Sequence, residues 1–254
     1  MAIELYNDGM HKCLMFSGLA QGEGIQSNQF FVIDDDQSAL IDPGGHLSFT
    51  GVTLQLREFI DLEALTYVMA THQGPDAIGS LESWVTRTNA TIVCPKVWSR
   101  CLPHLLPGYM GNKVGRRMIS VPDEGMNIQL GRGVIKALPA HFLNSAGNLH
   151  FYDPVSKILY SGDMGSSLVE EGLGQPVEDF EAHVPAMEEF HRRHITSNKV
   201  CRMWVAMVRN LDVEMIVPQH GRPFKGKMVR EFLNWVSGLD CGIDLLNHRS
   251  FFVP

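Results

Sequence analysis

The sequence predicts a layered α/β protein in which two β-sheets are covered by helices, built as one domain over residues 1–254. Three observations predict it. Short apolar runs rich in β-branched and aromatic residues recur along the chain, set off by Gly, Pro and Asp turns. Between them, in both halves, lie stretches whose apolar residues repeat at helical spacing. And 254 residues at 44% apolar content suffice to bury one large core, with no linker, repeat or low-complexity tract to divide it.

The elements follow in order. Runs 29–33 and 38–42 flank the acidic turn Asp34-Asp35-Asp36 and end at Pro43-Gly44-Gly45, a hairpin signature. Residues 51–59 predict a helix, 65–70 a buried strand and 78–86 a helix after Pro75. The alternation then repeats, with strand 91–94, a short helix 96–102 and strand 118–121 before the turn at Pro122. Strands 134–138, 149–153 and 158–161 come next. Residues 184–211 predict one helix or a broken pair, followed by strand 215–218 and helix 228–239.

Composition removes several function classes. The net charge of −7 is spread without long runs of either sign, which argues against nucleic acid or an anionic membrane as partner. No apolar run approaches the roughly 20 residues of a membrane span, and no basic stretch precedes an apolar one at the N-terminus, so a cytoplasmic location is expected. Cys13, Cys94, Cys101, Cys201 and Cys241 are odd in number and contain no CxxC pair, which predicts reduced thiols, mostly in packing roles.

Four segments place His or Asp just beyond an apolar strand, where loops at a sheet edge build sites. They are Thr71-His72-Gln73-Gly74-Pro75-Asp76, Pro139-Ala140-His141-Phe142, Ser161-Gly162-Asp163-Met164-Gly165 and Val217-Pro218-Gln219-His220-Gly221. Each alone reads equally well as a turn. Together they bring three imidazoles and two carboxylates toward one place, a donor set suited to iron, zinc or manganese. Of the remaining histidines, His11, His46, His104, His183, His194 and His248 are expected at the surface or in loops. His150 is expected half-buried and His191 solvated or capping. Tyr152, Trp84 and Trp204 are expected in the core.

The order HxxxD, His, GlyAsp, HisGly resembles the metallo-β-lactamase superfamily over nearly the whole chain. The stretches Ala140 to Asn148, Tyr160 to Gly165, Phe190-His191-Arg192-Arg193 and Pro218-Gln219-His220-Gly221 are similar to its stand-alone oxygen-binding di-iron branch, related to flavodiiron enzymes. The resemblance implies an αββα sandwich of two mixed sheets. It also implies two irons, one held by His72, His141 and Asp163 and the other by Asp76, Asp163 and His220, with zinc or manganese as alternatives. Flavodiiron enzymes carry HxExDH at the first segment, whereas this chain has Gly74 and Ala77 at the middle acid and the last His. Asn144 stands where relatives often have a second His.

By the same resemblance the function is binding or reducing O2, with NO as another ligand, as a carrier or sensor or as a component fed by a separate reductase. No phosphate-loop motif for FMN and no flavodoxin domain are expected in this chain, and a homodimer is. The competing readings are a metal-dependent hydrolase, whose usual HxHxDH is broken at the same two positions, and a signalling module with a degenerate site.

Overall fold

The structure is a computed structural model and describes residues 2–110, 114–169, 171–247 and 250, which leaves His248 outside the described residues. Seven strands form the first sheet in chain order: β1 (Ala2–Asn7), β2 (His11–Phe16), β3 (Gln29–Asp34), β4 (Gln37–Ile41), β5 (Tyr67–Met69), β6 (Thr91–Pro95) and β7 (Met118–Val121). Pairing is antiparallel from β1 to β4 and parallel from β4 to β7. Parallel neighbours need crossovers. Helix α1 (His46–Leu56) lies between β4 and β5, and α2 (Pro75–Ile78) with α3 (Leu81–Arg87) between β5 and β6.

The second sheet runs in the order β13 (Phe224–Lys225), β12 (Met215–Val217), β11 (Ile158–Tyr160), β10 (Leu149–Asp153), β9 (Gly133–Pro139), β8 (Met126–Leu130). Its one parallel pair, β11 with β12, is bridged by α4 (Phe180–His194) and α5 (Asn198–Val208), and α6 (Lys227–Ser237) follows β13.

Side-chain alternation decides the layers. On β3, Phe30 and Val32 point between the sheets and meet Phe151, Ile158 and Tyr160, with the Phe30 and Tyr160 rings 5.2 Å apart. Phe31 points the other way and packs with Leu40, Val52, Leu56 and Trp84 under α1 and α3. Leu159 and Ile216 do the same for the second sheet, under Met187, Trp204 and Phe232 of the other helices. The result is the αββα sandwich of two mixed sheets that was expected. Among the described residues, no helix is long and apolar enough to cross a membrane.

The differences from expectation have physical reasons. Residues 96–102 form turns followed by a 3-10 segment at Leu102–Leu105, because Pro103 cannot supply the amide a longer helix needs. The broken pair is the outcome for 184–211, since Ile195 leaves helical geometry and Ser197 restarts it from extended backbone. Strands β1 and β2 were not foreseen, their apolar content being interrupted by Glu4, Asn7 and Lys12 and by the polar turn at Asp8-Gly9.

Candidate metal centre

The loops after β5, β9, β11 and β12 converge at one end of the sandwich. Backbone bonds hold them together: Leu149 N–H donates to the Thr71 carbonyl (2.7 Å), Gln219 N–H to Gly162 (2.7 Å) and Ser161 N–H to Val217 (3.1 Å). Gly162 has φ +52°, and a Cβ there would stand 2.9 Å from the Thr71 hydroxyl, so this turn demands glycine on both counts. Asn28 clamps the last loop by donating its side-chain amide to the carbonyls of Pro218 and Gly221, both at 3.0 Å.

Two imidazoles are aimed by their Nδ1 atoms. The buried Asp42 carboxylate accepts from the Thr71 backbone N–H (2.8 Å) and hydroxyl (2.8 Å). With its proton so committed, the Thr71 oxygen accepts from His72 Nδ1 at 3.0 Å. Burial pushes the Asp42 carboxyl up to about 6. His220 Nδ1 meets the Gln26 carbonyl at 2.8 Å. Both rings therefore turn Nε2 inward. His72 Nε2 lies 3.5 Å from Asp163 Oδ2, and His220 Nε2 lies 3.8 Å from Asp163 Oδ1 and 3.0 Å from Asp76 Oδ2. Burial opposes charge on His220, but the Asp76 carboxylate and the Gln26 carbonyl outweigh it and raise its pKa. Burial likewise opposes charge on Asp76, and the His220 contact holds its carboxyl below the usual range. Gln219 donates to Asp76 at 3.2 Å.

Of the five residues singled out from sequence, the structure brings together His72, Asp76, Asp163 and His220 and leaves His141 outside. His141 Nε2 faces the Asp123 carbonyl at 2.8 Å, and its ring lines a separate apolar cleft with Phe142, Met203 and Trp204. The β9–β10 loop instead presents Asn144, whose amide donates to Asp163 Oδ2. Phe142 and Asn144 both have positive φ, a turn that rotates the residue three beyond His141 into the cleft.

The cleft measures about 350 Å³ and is lined on its apolar side by Ile25, Leu168 and Phe190. His194, expected at the surface, is exposed but stacks on Phe190 at 4.3 Å and lines the mouth. His191, expected in solvent or at a cap, is fully buried: its Nδ1 meets the Met187 carbonyl (2.7 Å) and its Nε2 accepts from Gly165 N–H (2.9 Å), fixing the turn that carries Asp163. Burial pulls its pKa down to about 4, so it stays neutral. His150 is buried rather than half-buried and accepts from Trp204 Nε1 at 3.0 Å. His11 and His183 are buried as well, against expectation, while His46 and His104 are exposed.

Imidazoles anchored through Nδ1, with Nε2 facing carboxylate oxygens, form the arrangement that ligates a cation. The donor set fits divalent iron, zinc or manganese.

Residues 25–221 match the model of the ODP family beta lactamases. Among solved structures, the apo state of the chemotaxis sensor ODP from T. denticola superposes with a TM-score of 0.85 at 36% identity, covering 96% of this chain and 97% of that one. A peroxy diiron species of the chemotaxis sensor ODP superposes at 0.84 with 37% identity over 95% and 97%. A variant of the flavo di-iron protein of Thermotoga maritima shares the fold, with a TM-score of 0.75 at 20% identity over 93% of this chain and 60% of that one. An uncharacterized protein of Methanocaldococcus jannaschii is 22% identical over 244 residues, 87% of this chain and 55% of its own length. The chain thus spans about half the length of that curated relative. Together with the two-sheet sandwich, these matches establish a metallo-β-lactamase fold, and the chain belongs to the ODP beta-lactamase family.

Proposed function

We propose that the chain is an oxygen-responsive iron protein that acts as a sensor. The observation that carries this reading is the pair of Nδ1-anchored imidazoles whose Nε2 atoms flank Asp163 at an open cleft. Support comes from its likeness to a chemotaxis sensor over nearly the whole length of both chains. Iron bound by these groups would supply electrons to O2. The protein's own part is to hold the ligand atoms: Asp42 and Thr71 fix the His72 tautomer, Gln26 fixes that of His220, and Asn144 and Gln219 orient the two carboxylates. Ile25, Leu168 and Phe190 limit water on one side. The cleft leaves room at the carboxylates for a small ligand such as O2 or NO. Any turnover would draw electrons from a separate donor, and a homodimer is the working assembly.

The test is the absorption spectrum of anaerobically purified protein before and after O2, with iron content measured alongside. Bound iron with a new visible band on oxygenation, both lost in Asp163→Ala, is the expected result. Zinc or no metal, with an unchanged spectrum, overturns the reading.

A further inference from the structure

The four converging groups are not equally shared between two metal positions. Resting on the metal-centre reading above, we propose that the centre holds a single tightly bound cation, on Asp76, Asp163 and His220. The neighbouring position, at His72, is disabled by Gly74 and Asn144.

On the Asp76 side one imidazole faces two carboxylates. His220 Nε2 is 3.0 Å from one carboxylate and 3.8 Å from the other, its far nitrogen is anchored, and Gln219 steadies Asp76. Three protein ligands with an open position make a sufficient site. On the His72 side the imidazole meets Asp163 Oδ2 at 3.5 Å, and that oxygen already accepts the Asn144 amide. A cation there would have to displace the Asn144 amide from Asp163 and draw Asp76 away from its 3.0 Å contact with His220. His141, the remaining imidazole on the β9–β10 loop, faces Asp123.

Gly74 completes the argument. A Cβ at this position would lie 2.5 Å from His72 Nε2 and 2.7 Å from Asp76 Oδ1, so a side chain here would enter between the two positions. Glycine offers no donor, and the His72 imidazole and Asp76 carboxylate occupy the space that a side chain would need. Charge agrees with the count. Two carboxylates neutralise one divalent cation, whereas a second would leave uncompensated charge beside His72 and Asp163, which are 4% and 6% exposed.

The experiment is anaerobic titration of the metal-free chain with Fe(II), and in parallel with Co(II), whose absorption bands report coordination. One equivalent is expected per chain. Affinity falls at least about 100-fold in Asp76→Ala, His220→Ala and Asp163→Ala, and by less than about threefold in His72→Ala. Asn144→His, and the double variant Gly74→Glu/Asn144→His, gain a second equivalent that His72→Ala removes. Circular dichroism of each metal-free variant checks folding, and the single variants at His72 and His220 carry the comparison should the double variant not fold. Two equal equivalents in the wild type overturn the inference and leave the oxygen-sensor reading standing. So does one equivalent lost with His72 but kept without Asp76. No uptake at all overturns both.

Discussion

The sandwich carries a His–Asp cluster at each end, and their contrast shows what turns such a cluster into a site. At the end away from the cleft, His11 on β2 meets Asp153 at the end of β10, with Nε2 to Oδ2 at 2.7 Å, and its Nδ1 lies 3.4 Å from Asp34. Cys13 Sγ stands 3.4 Å from the same Asp153 oxygen, and Ser156 donates to it too. Among the described residues, His11, Cys13 and Asp153 are the one trio of His, Cys or carboxylate groups whose ligand atoms all lie within 4.8 Å of one another. Compactness alone would make this the better metal site. Yet the Asp153 oxygen is saturated by three neighbours and the imidazole is already ion-paired. Similar chemistry here joins the two sheets; at the other end, imidazole lone pairs directed at an open cleft make a ligand set.

That contrast breaks most visibly under substitution. Asp153→Ala leaves the buried His11 imidazolium only its longer contact with Asp34 and is expected to cost about 3 kcal/mol in urea denaturation. Asp163→Ala in metal-free protein is expected to cost less, about 1–2 kcal/mol, because the imidazoles that lose it stand farther off, at 3.5 and 3.8 Å. Metal binding reverses the ranking: Cys13→Ala leaves it unchanged. Thr71→Val, which removes the acceptor from His72 Nδ1, touches the weaker position and lowers uptake of the second equivalent in the Gly74→Glu/Asn144→His background about 10- to 100-fold. Gly162→Ala forces a side chain into positive φ against Thr71 and should cost about 1–2 kcal/mol by thermal melting.

The comparison sharpens further through pH. Burial opposes charge on His11, but the Asp153 hydrogen bond raises its pKa from 6.5 to about 10. The folded state therefore binds the proton more tightly, and this contribution is complete below about pH 6.5 and fades as pH rises through 10. Asp153 is held below its ordinary value, chiefly by His11 against the opposing effect of burial, so its share is lost only as pH falls below the usual carboxylate range. Melting temperature should decline from pH 6.5 to 10 in the wild type and more gently in His11→Gln.

Much of the architecture was legible because period and punctuation agree: the hairpin around Asp34-Asp35-Asp36, β7 and β10 fall where alternation and turn residues place them. The site was legible to the level of loops. Strand ends announce His72, Asp163 and His220, but which residue of the β9–β10 loop faces the cleft depends on the backbone at Phe142 and Asn144, whose positive φ no spacing rule foresees. The groups that aim the imidazoles were also hidden. Asp42 and Gln26 lie far along the chain from the rings they serve, and only the fold brings them within 3 Å of Thr71 and His220. His191 was misjudged from its basic neighbours Arg192 and Arg193, since helical periodicity turns one residue of the three inward.

One feature of the cleft reaches beyond ligand binding. His72 and Asp76 follow a strand of the first sheet, whereas Asp163 and His220 follow strands of the second. A cation bridging Asp76 with Asp163 and His220 would act as a clasp across the seam between the two halves. By linkage, metal at 100 times its dissociation constant adds about 2.7 kcal/mol to the folded state. Resistance to heat thereby becomes a gauge of metal occupancy, readable without a chromophore.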